Sequence, residues 1–203
     1  MDARADAIVH AVGGIAGVGA SVFLLAKVLL APVGGQVAPV AVYLAGLLAM
    51  LGCSALYNVW RSCPWRSWLR RLDHAAIFVM IAGTYTPLAA KLSAGWREGL
   101  LATVWTAAAS GVALKLWRPH RIEAISVALY LVLGWIGVAA LGELMSSIAP
   151  GTLGLLLAGG VVYSAGLVFH LARGWRYQTA LWHACVLVAA SFHYLAVLSL
   201  VEA

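Results

Sequence analysis

Nine polar residues lie near the ends of long apolar runs, and they are of the types that ligate metals, move protons or hold buried hydrogen-bond networks: Asp6, His10, Ser54, Asn58, Asp73, His74, His170, Thr179 and His183. Ionisable side chains at membrane depth are costly, so they usually line an interior site. Spacing groups some of them. Ser54 and Asn58 lie four apart, as do Thr179 and His183, so on helices each pair shares a face and could point at a common centre. His193 is ten residues beyond His183, about 15 Å along a straight helix, and needs a partner of its own. Each residue also has a plainer reading. Asp73 follows Arg70 and Arg71 and suits an N-cap with a charge partner, while Asp6 suits a cap or a solvated position. His10 and His193 suit hydrogen-bonded packing, and His74 and His170 an interfacial position.

The elements that must position these groups follow from composition. Of 203 residues, 64% are hydrophobic and 10% charged, and the mean hydropathy is +0.95. Soluble domains average about 45–50% apolar and about 25% charged, so lipid must be the solvent. A bilayer core about 30 Å thick takes about 20 helical residues, which leaves room for about seven crossings, short loops and no separate soluble domain. Residues 1–203 therefore read as one all-α, seven-helix integral membrane bundle. Its helices are predicted at 7–30, 39–60, 73–92, 99–117, 124–142, 152–172 and 180–201. Pro39, Pro119 and Pro150 fall where helices start or stop. Pro87 lies inside the third helix and frees the carbonyl of Gly83, which Thr84 and Thr86 are placed to satisfy. The first apolar run is longer than a signal-peptide core and is expected to remain as the first helix.

Positive residues are retained on the cytoplasmic side, and their distribution is lopsided. Arg4, Arg61, Arg66, Arg70, Arg71, Lys115, Arg118, Arg121, Arg173 and Arg176 fall on one side, ten of the thirteen cations. Lys91 and Arg97 fall on the other, with Lys27 able to snorkel from near that end of the first helix. This gives a cytoplasmic amino terminus, an outer carboxyl terminus and a polar site open to the cytoplasm, in a multi-pass protein of the cell inner membrane. The net charge of +6 is spread over short clusters with no basic face of a folded module, which argues against nucleic acid as a partner. Cys53, Cys63 and Cys185 have no paired spacing for a disulfide framework or a thiolate metal site. Gly13, Gly17 and Gly19 in the first helix, and Gly154, Gly159, Gly160 and Gly166 in the sixth, permit close packing.

Six stretches carry a family resemblance: DAIVHAVG at 6–13, SALYN at 54–58, LDHAAI at 72–77, IAGTYTP at 81–87, YSAGLVF at 163–169 and LWHACVLVAASFH at 181–193. With these the chain resembles the bacterial hemolysin III proteins, which belong with the progestin and adipoQ receptors. The resemblance implies seven helices, a cytoplasmic amino terminus and a part in membrane lipid and fluidity homeostasis, with membrane lipids as partners. It also implies a zinc site near the cytoplasmic face, held by the histidine of a serine-x-x-x-histidine motif on the second helix and the two of a histidine-x-x-x-histidine motif on the seventh, with an aspartate of the third helix orienting a zinc-bound water. Carried across, these positions give Ser54, Asp73 and His183. The other two ligand positions hold Asn58 and Thr179.

A catalytic zinc takes three protein ligands and a water, and amide or hydroxyl oxygen is a poor substitute for imidazole. The expectation is a degenerate site with little or no zinc, in which His183 bonds Asn58, Ser54 or Asp73 directly or through water. The rival expectation is a remodelled site in which His10 joins His183 and Asp73, serving a ceramidase-like, zinc-dependent hydrolase of lipid amides with Asp73 as proton acceptor. A retinal pigment is disfavoured because the seventh helix has no lysine. Ion movement is disfavoured because the outer helix halves lack a polar chain, and pore formation in host membranes finds no support in the residues.

Overall fold

A computed structural model describes residues 2–31, 36–117, 123–172 and 174–202. Arg118, Pro119, Arg121 and Arg173, which enter the predicted boundaries and orientation, lie outside the described residues. The described residues are helical with short connections and no strand: α1 (Asp2–Leu30), α2 (Val37–Val59), α3 (Arg66–Ala89), α4 (Ala94–Trp117), α5 (Glu123–Trp135), a 3-10 turn (Ile136–Ala140), α6 (Leu141–Ser147), α7 (Pro150–Leu171) and α8 (Gln178–Glu202).

Six stretches are long and apolar enough to cross a membrane: Ala3–Leu30, Val37–Val59, Ala94–Trp117, Ile125–Ser147, Pro150–Leu171 and Gln178–Glu202. Their outward side chains are apolar, among them Ile15 and Leu30, which are 77% and 85% exposed. Such surface is stable only against lipid. The helix left out is α3. It has 24 residues, but Arg66, Arg70, Arg71 and Asp73 load its first turns. It begins at Arg66 with Trp65 as N-cap, so Asp73 lies about two turns inside the helix and does not cap it.

One predicted helix is broken. The run 124–142 is predicted as continuous, yet the helix stops at Trp135, tightens into the 3-10 turn and resumes at Leu141. A break at membrane depth leaves backbone groups that water cannot serve. Tyr85 of α3 serves them: its hydroxyl donates to the Gly134 carbonyl at 2.6 Å and accepts from the Gly137 N–H at 3.0 Å. Pro87 falls in the last turn of α3. Thr84 and Thr86 donate to the carbonyls of Met80 and Ala82, one turn back, and not to that of Gly83.

The first and last helices run side by side and parallel. Near their starts Asp6 meets His183, midway the Tyr194 hydroxyl donates to the Ala20 carbonyl, and at their far ends Lys27 pairs with Glu202. Gly13 permits this approach, since a Cβ there would stand 2.6 Å from Leu187 of α8. The interior is two apolar clusters. Leu24, Tyr43, Leu47, Met80 and Val197 knit α1, α2, α3 and α8, and Phe78, Val104, Leu133 and Leu144 bind α3 to α4, α5 and α6.

Candidate metal centre

Two successive turns of α1 and the second turn of α8 meet at the arginine-rich end of the bundle. Asp6 and His10 are four apart on α1 and so share one face. That face looks at His183, which the close α1–α8 packing near Gly13 brings within reach. The Nδ1–H of His183 donates to Asp6 Oδ1 at 2.6 Å, and His10 Nε2 lies 3.7 Å from the same oxygen. The two imidazole rings are 4.4 Å apart between centroids, and a guanidinium nitrogen of Arg61 stands 3.9 Å from Asp6 Oδ2. Asp6 is only 2% exposed, so this carboxylate is buried among two imidazoles and a guanidinium.

One ligand atom each from Asp6, His10 and His183 falls within 4.8 Å of the others. His10 adds a second observation. Its side chain is 7% exposed, and its Nε2 is buried with no hydrogen-bond partner. A buried, unbonded ring nitrogen aimed at a carboxylate and a second imidazole is costly as packing and well suited to ligation.

The remaining predicted site residues form a second set on the same chamber. Asn58 donates through Nδ2 to the carbonyl of Ser54 at 3.0 Å and to its hydroxyl at 3.4 Å. The Ser54 hydroxyl hydrogen-bonds the Asp73 carboxylate, which also interacts electrostatically with His183 and Asp6. Thr179 lies one turn before His183, and with His10, Ser54, Asn58, Asp73 and His183 it lines a cavity of about 950 Å³. His183 makes no direct hydrogen bond to Asn58, Ser54 or Asp73; its direct partner is Asp6, which the structure buries instead of leaving it as a cap or solvated group. His193 finds its own partner, donating to the Leu156 carbonyl at 3.3 Å. His170 packs on the ring of Trp182 with 5.0 Å between centroids.

The zinc set implied by the resemblance fits poorly at its own positions. Asn58 and Thr179 offer weak donors, and the Asn58 amide is engaged within its own helix. A displaced set fits better. Asp6, His10 and His183 supply a carboxylate oxygen and two imidazole nitrogens, the ligand types and number of a three-ligand divalent site. Asp6 is the member that sequence reasoning missed, although the four-residue spacing from His10 was in plain view.

Residues 4–194 match a family model described as haemolysin-III related. The sequence is 32% identical to the "Hemolysin-3 homolog" of Bacillus subtilis (strain 168), over 96% of this chain and 92% of that one. It is 30% identical to "Hemolysin-3" of Bacillus cereus, over 96% and 89%. A weaker similarity, 27% over 77% of this chain and 67% of the other, reaches the human "Monocyte to macrophage differentiation factor".

Proposed function

Because this chain belongs to the haemolysin-III-related family and is a multi-pass membrane protein, we propose that it crosses the cell inner membrane seven times, amino terminus inside, and serves membrane lipid homeostasis through a cytoplasm-facing chamber in which Asp6, His10 and His183 hold a divalent metal, zinc in the first instance. The observation that carries the metal is the buried, unbonded Nε2 of His10 beside two further ligands.

Parity supports the seventh crossing. Six full crossings would set the first and last helices antiparallel, whereas α1 and α8 run parallel. Counting α3 restores an odd number, and its polar first turns then face the chamber. The described cations support the orientation: Arg4, Arg61, Arg66, Arg70, Arg71, Lys115 and Arg176 sit at the end holding the start of α1, and Lys91 and Arg97 at the opposite one. Fusions to the carboxyl terminus should give active alkaline phosphatase and dark green fluorescent protein. The reverse pattern would refute the orientation.

A divalent ion held by Asp6, His10 and His183 would supply Lewis acidity and lower the pKa of water toward neutral. The protein's own contribution is legible around it. Asp6 bonds one imidazole and stands beside the other, Arg61 balances its charge, and Asp73, with Ser54 as its hydrogen-bond partner, would accept a proton from water in the chamber. That last arrangement favours a second reading, the hydrolysis of a lipid amide.

Metal analysis of the full chain purified in detergent tests the site. Stoichiometric zinc is expected, lost in His10→Ala, Asp6→Ala and His183→Ala and kept in Asn58→Ala and Thr179→Ala. Metal-free wild-type protein, re-exposed to zinc without uptake, would leave only the degenerate hydrogen-bonded network.

A further inference from the structure

Two exposed tryptophans bracket α4. The twenty-one residues from Trp96 to Trp117 rise about 32 Å. A bilayer core is about 30 Å thick, and indole rings collect at its two boundaries. Trp117, 81% exposed, therefore stands at headgroup level at the arginine-rich end. Leu114, three residues earlier and so on the same face, is exposed one turn deeper, where it meets hydrocarbon.

Arg71 of α3 is held at this same level. Its guanidinium donates to the Leu116 carbonyl at 2.9 Å and lies 4.6 Å from the centre of the Trp68 ring. The carbonyl end of α4 offsets about half a unit of its charge and takes one of its five donors. Neither partner is a carboxylate. Trp68 is exposed, and Leu72, four residues on, carries the same exposed face of α3 toward hydrocarbon. The turn before α3 is fixed: the N–H of buried Cys63 donates to the Trp60 carbonyl, and the Cys63 carbonyl accepts from the Arg66 N–H. Among the described residues this end carries the seven cations named above against Asp2, Asp6, Asp73 and Glu123. Asp6 is buried beside Arg61, and Asp73 lines the chamber with Ser54 as its hydrogen-bond partner.

We propose that the junction of α3 and α4 binds an anionic phospholipid of the surrounding leaflet on the outside of the bundle. Arg71 holds the phosphate, the rings of Trp68 and Trp117 flank the glycerol level, and Leu72 and Leu114 meet the acyl chains. A guanidinium matches a phosphate with two parallel N–H donors, which gives the headgroup a defined seat. The positive balance of this end then favours an anionic head over a zwitterionic one. The inference uses the membrane-spanning character of the chain and is independent of the chamber and its metal.

The test is native mass spectrometry of the delipidated full chain in detergent with excess EDTA, given equal amounts of dioleoyl phosphatidylglycerol and dioleoyl phosphatidylcholine. Phosphatidylglycerol adducts should outnumber phosphatidylcholine adducts about tenfold. Arg71→Gln should remove most of that preference, and Arg97→Gln, at the opposite end, should leave it unchanged. Trp68→Leu, which removes the ring beside the guanidinium, should lower it about threefold. If Arg71→Gln does not fold, Trp68→Leu carries the test. Equal adducts of the two lipids would overturn the proposal, as would an unchanged preference in the folded Arg71→Gln or, failing that, in Trp68→Leu. Loss of the adduct to glycerol 3-phosphate at similar concentrations would mark a free-anion site and overturn it too. A dimer in the same spectra that Trp68→Leu dissolves would assign this face to a second copy instead. Because metal is chelated throughout, failure to bind zinc and failure to select the headgroup are separate results.

Discussion

At the scale of single residues, the site depends on one carboxylate. Removing Asp6 strands the buried His183 imidazole and takes away the counter-charge of Arg61. Asp6→Ala should therefore cost about 1–3 kcal/mol even in metal-free protein, and Asp6→Asn, which keeps an acceptor, visibly less. Denaturation midpoints of chelated samples in detergent check both. A constructive variant probes the opposite wall. Asn58 and Thr179 line the same chamber, so Asn58→His with Thr179→His should add zinc uptake beyond that of the wild type. No gain would mean the two positions do not converge. The polar residues themselves were legible from sequence, and so was the pairing of Ser54 with Asn58, because both are local along the chain. The partner of His183 was not, since Asp6 lies 177 residues away and nothing in either local pattern specifies it.

At the scale of elements, hydropathy located most helices and concealed two features. The first is the break after Trp135. The residues around the break, Leu131 to Leu141, are all apolar, and what makes the interruption tolerable is a hydroxyl contributed by α3. Tyr85→Phe should leave the Gly134 carbonyl and the Gly137 N–H without that partner and cost about 1–3 kcal/mol, read as a lower melting temperature in detergent. The second feature is α3 itself, predicted to begin at Asp73 but beginning at Arg66. Its extra turns read as loop because of their arginines. They are helical because Arg66 and Arg71 spend their charge on the carbonyls of Tyr57 and Leu116, at the ends of the neighbouring helices.

At the scale of the whole molecule, the all-α membrane class followed from composition alone, and apolar outward faces agree with it. The adjacency of α1 and α8 did not follow, because helix order in a bundle is set by side-chain fit and not by hydropathy. The Lys27–Glu202 pair at the far end marks that adjacency without securing it. Both side chains are substantially exposed, so Lys27→Ala should change stability by about 0–1 kcal/mol and leave the melting temperature nearly unmoved.

The contact between Asp6 and His183 also has a bearing on biogenesis. A ribosome delivers α1 well before α8, so an acidic side chain must wait in a nascent, half-built assembly until α8 has emerged. A chain cut short before α8 would keep that acid without its imidazole partner beside lipid, an unstable arrangement that proteolysis can recognise. The same contact that shapes the chamber thereby records whether α8 has joined α1.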